Sequence, residues 1–99
     1  MAYNRKDYYF KKAKARGLRA RSAYKLLDIQ KKYRLIKPND TVLDIGCAPG
    51  SWLQIAKKMT TGKITGIDIT PLKPMENVTY IRGDIRDPEV QAQLQKEFD

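Results

Sequence analysis

Apolar residues recur in short runs along the chain, and three of these runs have the length and β-branched composition of strands. They cover residues 41–45, 63–69 and 78–81. Glycine, proline or aspartate follows each run within three residues, as is typical where a strand passes into a loop. The pattern therefore predicts three short strands in one small sheet.

Apolar spacing and local end signals predict helices before, between and after these strands. Ser22 is a favourable residue to begin one helix, and Asp87 followed by Pro88 is a typical start of another. Gly17 is suited to ending the first helix, because glycine readily adopts the left-handed conformation found there. The predicted helices cover residues 7–16, 22–33, 51–59 and 88–98.

The order of these elements is typical of an α/β protein. A helix or a long loop separates successive strands, as parallel strands require. Two further helices precede the first strand and carry many basic residues. We therefore predict the first half of a doubly wound, Rossmann-like α/β sheet, preceded by a basic helical N-terminal extension.

Charge divides the chain into two segments. Of the 99 residues, 20 are Lys or Arg and 11 are Asp or Glu, which gives a net charge of +9. Residues 1–37 carry a net charge of +11, whereas residues 38–99 carry −2. A strongly basic segment indicates a polyanionic partner. Nucleic acid is favoured over a membrane surface, because this segment has no strong apolar face to insert.

Basic and aromatic residues are interleaved near the N-terminus, where cations could neutralise phosphates and rings could stack on bases. One alternative is a solvated basic helix whose rings pack on the domain. A second is a mitochondrial presequence, although Asp7 and the tyrosines argue against it. The candidate nucleic-acid contacts are Lys11, Lys12, Lys14, Arg16, Arg19 and Arg21.

The scarcity of cysteine and histidine excludes several functional classes. Cys47 is the one cysteine and histidine is absent. An intrachain disulfide, a zinc site of Cys and His, and a Ser-His or Cys-His nucleophile pair are therefore excluded. No segment is apolar enough for a membrane span or a secretory signal. We expect a cytoplasmic protein with no metal site and no membrane partner.

A glycine loop connects the first predicted strand to the next helix. Gly46 and Gly50 are spaced Gly-x-x-x-Gly with a proline between them, unlike the Gly-x-Gly-x-x-Gly of dinucleotide sites. This loop is a poor cradle for a pyrophosphate and suits a ligand without phosphates, such as S-adenosylmethionine. Loop N–H groups could bind its carboxylate and Asp44 its ammonium group. Alternatively, Asp44 only braces the loop.

Two more acids follow the second and third predicted strands. Asp68 is placed to accept hydrogen bonds from the ribose hydroxyls of a nucleoside, and Asp84 from an adenine amino group. The carboxyl ends of parallel strands meet at one edge, so the three acids would flank one crevice. Each could instead be an ordinary turn residue. Trp52 either closes this pocket or packs on the sheet, and a nicotinamide-dependent oxidoreductase is a weaker alternative.

Two stretches are specific in combination: Arg-Ser-Ala-Tyr-Lys-Leu over residues 21–26 and Ala-Pro-Gly-Ser-Trp over residues 48–52. Gly-Ile-Asp-Ile over residues 66–69 and Gly-Asp at residues 83–84 follow them. With these motifs, the chain resembles the N-terminal half of the FtsJ-type ribose 2'-O-methyltransferases of ribosomal RNA. The resemblance extends over essentially the whole chain.

The resemblance implies an S-adenosylmethionine-dependent RNA methyltransferase, with a uridine of 23S rRNA in the large ribosomal subunit as the expected target. Lys25 matches the first lysine of the family's Lys-Asp-Lys-Glu catalytic tetrad and would orient the target ribose. Residues 1–37 would contact RNA, and residues 38–99 would form the first half of the cofactor-binding methyltransferase domain. The implied cofactor contacts are Gly50, Trp52, Asp68 and Asp84.

The other three members of that tetrad have no counterpart in this sequence. We therefore expect a truncated enzyme that is inactive as residues 1–99 alone. We also expect residues 1–99 alone to be marginally folded or self-associating, because the strand at 41–45 would lack a neighbour on one side. The alternatives are a methyltransferase of the tRNA anticodon loop and an RNA-binding fragment without catalysis.

Overall fold

The computed structural model describes residues 5–98, which form four helices and a three-stranded sheet. The helices are α1 (Arg5–Ala15), α2 (Ala23–Tyr33), α3 (Ser51–Met59) and α4 (Pro88–Phe98). The strands are β1 (Val42–Ile45), β2 (Ile64–Asp68) and β3 (Thr79–Arg82). None of the described helices is long and apolar enough to cross a membrane. The predicted elements are confirmed, with ends that shift by one or two residues.

The described strands are all parallel and lie in the order β1-β2-β3. Helix α3 connects β1 to β2, as expected of a crossover between parallel strands. Within residues 5–98, β1 pairs with β2 only and is an edge strand. Leu43 and Ile45 on this edge are 39% and 58% exposed. The predicted α/β fold is confirmed.

Helix α3 joins the basic helices to the sheet because it is apolar on two sides. Leu53 packs with Ile64 of β2, whereas Ile55 packs with Ala23 and Leu26 of α2. All five side chains are buried. Helix α4 contributes to a separate cluster, formed by Ile67, Ile81, Val90 and Leu94. The predicted domain boundary after residue 37 stays a prediction. Helix α2, which precedes that boundary, shares a core with α3, which follows it.

Two of the predicted helix ends have the expected chemistry. Beyond α1, Gly17 has φ +74° and the N–H of Leu18 donates to the carbonyl of Ala13 at 2.8 Å, which is the bond of a left-handed helix end. Before α4, Asp87 accepts the N–H of Glu89 at 2.9 Å. Both signals predicted these ends correctly because they depend only on neighbouring residues.

The expected capping role of Ser22 is wrong. Ser22 does precede α2, but its backbone is helical and its side chain makes no capping hydrogen bond. Its hydroxyl lies instead 2.8 Å from the hydroxyl of Ser51 at the start of α3. The serine therefore connects two helices, because packing of α2 on α3 brings their N-terminal ends together.

Candidate functional site

The carboxyl ends of the strands form a groove of about 250 Å³. Asp68 ends β2, and Asp84 lies two residues beyond β3. A larger cleft of about 650 Å³ lies at the opposite ends of the strands and is lined by no carboxylate. We assign the site to the smaller groove, which is lined by Gly46, Asp68, Asp84, Ile45, Ile69 and Ile85.

Asp68 is fixed in its charged form by the backbone. One carboxylate oxygen accepts the N–H of Ala48 at 2.9 Å, and the other accepts the N–H of Thr70 at 2.9 Å. Hydrogen bonds from Thr70 first, and from Ala48 next, lower the pKa of this carboxyl group. Asp68 is therefore an oriented anionic acceptor at the rim of the groove.

Asp44 has the opposite electrostatic character. Its Oδ2 atom is buried and has no hydrogen-bond partner among the described residues. Burial raises the pKa of this carboxyl group, and the negative charge of Asp68 raises it further. A buried carboxylate oxygen without a partner is costly unless a ligand donates to it. Asp44 is therefore suited to receive a positively charged donor such as an ammonium group.

Asp84 is engaged by a neighbouring side chain. The guanidinium of Arg86 donates to Asp84, with Nη2 at 2.7 Å from Oδ2 and Nε at 3.0 Å from Oδ1. This pairing lowers the pKa of Asp84 to about 2. The pair is exposed, so a ligand amino group can share the carboxylate or displace Arg86 without a large penalty.

The two loop glycines differ in what surrounds them. At Gly46, with φ +78°, nothing lies within 4 Å of the place that a Cβ would occupy. At Gly50, with φ +106°, a Cβ would lie 3.0 Å from Nη1 of Arg19 and 3.2 Å from Cδ1 of Leu72. Gly46 thus leaves the loop open to a ligand, whereas Gly50 makes room for another part of the protein.

Trp52 does not line the groove. Its indole N–H donates to the carbonyl of Ser22 at 2.8 Å, and its side chain is 36% exposed. Trp52 and Asp44 together line a smaller cavity of about 200 Å³ beside β1. The structure therefore places Trp52 and Asp44 together, and neither lines the groove of Asp68 and Asp84, so two of the three acids expected at one crevice line it.

Lys25 is exposed on the first turn of α2. Its backbone N–H donates to the carbonyl of Ser22 at 3.1 Å, the same carbonyl that accepts the indole of Trp52. It lines neither cavity described above. The structure thus ties the backbone of Lys25 to the start of α3 and leaves its side chain in solvent.

The six basic candidates do not form a uniform group. Lys11, Lys14, Arg16 and Arg21 are exposed, whereas Lys12 and Arg19 are half-buried. The ammonium of Lys12 lies 5.3 Å from the centre of the Tyr24 ring, and the guanidinium of Arg16 lies 6.0 Å from it. Such cation–π contacts hold α1 basic residues against α2 while leaving charge at the surface.

Two residues near the site make contacts that gave no signal in the sequence. Gln54 of α3 accepts the N–H of Arg19 at 2.7 Å and donates to the carbonyl of Gly17 at 3.1 Å. The hydroxyl of Tyr80 donates to the carbonyls of Asp68 and Thr70. Both join segments far apart in the chain, so no local motif could have indicated them.

The sequence model of the FtsJ-like methyltransferases matches residues 18–99. The fold agrees with this match, and the chain belongs to the FtsJ-like methyltransferase family. The resemblance to that family is thereby confirmed.

Similar curated proteins come from archaea. The ribosomal RNA large subunit methyltransferase E of Methanoculleus marisnigri is 50% identical over 92 residues, covering 93% of this chain. Its counterpart in Archaeoglobus fulgidus is 46% identical over 93 residues, covering 94%. The matches cover 45% and 48% of those relatives. The chain therefore spans about half the length of the curated relatives it matches.

A similar solved structure is the crystal structure of a ribosomal RNA methyltransferase from Plasmodium falciparum. It superposes with a TM-score of 0.70 at 38% sequence identity. The match covers 80% of this chain and 48% of that one. The architecture of most of this chain thus corresponds to about half of that structure.

Proposed function

We propose that the chain forms the cofactor-binding half of an S-adenosylmethionine-dependent RNA methyltransferase, with helix α1 (Arg5–Ala15) as a basic, RNA-binding arm. The methyl group goes to a ribose 2'-hydroxyl of large-subunit ribosomal RNA, and the expected target is a uridine of 23S rRNA. Membership of the FtsJ-like family supports methyl transfer, and the names of the relatives support ribosomal RNA as substrate.

One observation carries the choice of cofactor. Asp44 has a buried carboxylate oxygen without a partner, and its charge interacts with that of Asp68, which is held ionised beside it. Asp44 suits the ammonium group of S-adenosylmethionine, and Asp68 suits its ribose hydroxyls. Gly46 lies between Asp44 and Asp68 in the chain, and the open space beside it leaves room for the ligand. A pyrophosphate is disfavoured here, because its negative charge would lie close to two carboxylates.

The chain's own residues bind and orient the reactants in this proposal. S-adenosylmethionine supplies an electrophilic methyl group when it is bound. Asp84 accepts the adenine amino group, and Lys25 directs the target ribose towards the methyl group. The exposed cations of α1 and of the segment after it hold the RNA backbone, as their charge and accessibility support.

Cofactor binding is tested on the full-length protein, meaning a version as long as its relatives. Titration calorimetry with S-adenosylhomocysteine compares the parent protein with Asp68→Asn. We expect binding to weaken by roughly 1–3 kcal/mol, because hydrogen bonds to a charged acceptor are lost. Glu89→Gln removes an exposed carboxylate of α4 as a matched control and should bind normally.

Two results would contradict the proposed cofactor. One is an affinity for S-adenosylhomocysteine in Asp68→Asn equal to that of the parent. The other is binding of NADH in place of S-adenosylhomocysteine, which would favour an oxidoreductase.

A further inference from the structure

The segment between α1 and α2 is tied to the start of α3 by a compact set of hydrogen bonds. Gln54 bonds to the backbone at Gly17 and Arg19, as described above. Ser22 bonds to Ser51 through their hydroxyls, and its carbonyl accepts the indole of Trp52. The segment that leads out of the basic arm is therefore fixed against the N-terminal end of α3.

Arg19 extends this set to a second loop. Its Nη1 donates to the carbonyl of Pro49 at 3.0 Å, and its Nη2 donates to the carbonyl of Pro74 at 3.3 Å. Pro49 belongs to the glycine loop after β1, and Pro74 to the loop after β2. One guanidinium thus bridges the two loops that flank Asp68, although these proline residues are 25 positions apart.

The backbone around this guanidinium is shaped to receive it. Gly50 brings its Cα close to Arg19 and to Leu72, so that any larger residue would displace one of them. The positive φ of Gly50 adds a second reason for glycine. A cavity of about 480 Å³ beside the bridge is lined by Arg19, Pro49, Gln54, Leu72 and Lys73. The glycine loop is therefore fitted to the protein on one side and open on the other.

We propose that Arg19 is a positioning residue, which holds the two cofactor loops at a fixed separation, rather than a contact to RNA phosphate. The proposal rests on the proposed function for the identity of the cofactor. Arginine suits this task because its planar fork directs several N–H donors at once, whereas a lysine ammonium is a compact charge on a flexible stem. With both terminal nitrogens bonded to carbonyls, Arg19 has fewer donors left for phosphate than an exposed arginine has.

The Arg19 bridge also couples the position of the arm to the positions of the cofactor loops. Arg19 lies four residues from α1 and six residues before Lys25. A displacement of the arm therefore moves the carbonyl of Pro49, which is adjacent to Gly50. Through Pro49, the backbone N–H of Ala48 moves relative to the carboxylate of Asp68. Arg19 acts on the cofactor through these loops without touching it.

The test uses Arg19→Ala and Arg19→Lys in the full-length protein, with Arg21→Ala as a matched control from the same segment. Arg21 is exposed, and its replacement removes the same charge. Titration with S-adenosylhomocysteine should show about tenfold weaker binding for Arg19→Ala, the loss of about one hydrogen bond from a charged donor. Arg19→Lys should be intermediate because lysine can reach one carbonyl at a time. Arg21→Ala should bind the cofactor normally.

Hydrogen exchange provides a readout that does not depend on cofactor or on activity. In Arg19→Ala without ligand, amide exchange should quicken at 47–50 and 72–76 and stay unchanged in the strands and in α4. The dependence of RNA affinity on salt should be unchanged in Arg19→Ala and shallower in Arg21→Ala. The KM for S-adenosylmethionine should rise while kcat at saturating cofactor is retained.

The reverse pattern would overturn the proposal. Unchanged exchange in both loops with a shallower salt dependence for Arg19→Ala would make Arg19 an RNA contact. Quickened exchange throughout the protein in both Arg19 variants would make it a general stability residue. Absence of S-adenosylhomocysteine binding in the parent protein would instead contradict the proposed function, and the exchange result would still decide the role of Arg19.

Discussion

The groove and the basic arm hold their charged groups in different ways. In the groove, the carboxylate of Asp68 is fixed by two backbone N–H groups, and in the cavity beside β1 one oxygen of Asp44 is buried. In the arm, Lys11 and Lys14 are exposed, and the cation of Lys12 rests on aromatic rings. One region holds its acidic groups in preorganised positions, and the other presents positive charge on exposed side chains.

This difference has consequences for how each region responds to change. A preorganised site loses a specific interaction when one residue is replaced, so single substitutions have sharp effects. A distributed cationic surface loses only a fraction of its RNA affinity when one residue is replaced, and the remaining affinity still depends on salt concentration. Lys25 lies between the regions, on the helix that packs against α3.

The largest effect is expected at Lys25. In the full-length protein, Lys25→Ala should lower single-turnover methylation by about 10²–10³, comparable to the loss of one preorganised group that stabilises developing charge. Affinity for S-adenosylhomocysteine should stay within about twofold, because Lys25 lines neither cavity at the glycine loop. Lys31→Ala, from the exposed side of the same helix, is the control. Full activity of Lys25→Ala would make Lys25 an ordinary surface residue.

A smaller effect is expected when three arm lysines are replaced together. Changing Lys11, Lys12 and Lys14 to Ala should reduce the slope of log affinity against log salt by about 2–3, because fewer counterions are released. Affinity for a ribosomal RNA hairpin is measured at several salt concentrations. Replacing Lys58 and Lys96, which are exposed outside the arm, is the control. An unchanged slope would show that the arm lysines do not contact phosphate.

The smallest effect is expected from pH. Because the pKa of Asp44 is raised above 3.8, the free protein binds this proton more tightly than the unfolded chain does. Ionised Asp44 therefore destabilises the free fold as pH rises above that value. A bound ammonium group favours the ionised form, so cofactor affinity should fall as pH drops through the raised pKa, at most about tenfold per pH unit.

Asp44→Asn separates these two consequences. The variant should unfold at a higher temperature than the parent at neutral pH, and its cofactor affinity should be lower and should lose this pH dependence. Calorimetry at several pH values measures the affinity, and thermal unfolding measures the stability. A variant that keeps the affinity and pH dependence of the parent would remove Asp44 from the ammonium site.

Local signals in the sequence predicted most of the fold. Helices Ser51–Met59 and Pro88–Phe98 were predicted with the observed ends, because apolar spacing and the Asp87 signal determine them locally. The strand ends also placed Asp68 and Asp84 at one groove. Parallel crossovers leave little choice about where strand ends lie, which is why this part of the site followed from the order of elements.

The contacts that tertiary packing decides could not be predicted. Ser22 was expected to cap α2 and bonds to Ser51 instead, and Trp52 lies away from the groove of Asp68. The loop bridge of Arg19 joins segments whose separation only the folded chain defines. These residue types are compatible with several partners, so their sequence positions do not select one.

The central claim is that this chain belongs to an enzyme that methylates a ribose 2'-hydroxyl of ribosomal RNA. The most direct measurement incubates the full-length protein with S-adenosylmethionine labelled in its methyl group and with large-subunit rRNA or tRNA, and then digests the RNA to nucleosides. We predict label in a 2'-O-methylated nucleoside, expected to be uridine, from large-subunit rRNA. Label on a base, label only in tRNA, or no label in either RNA would contradict the account.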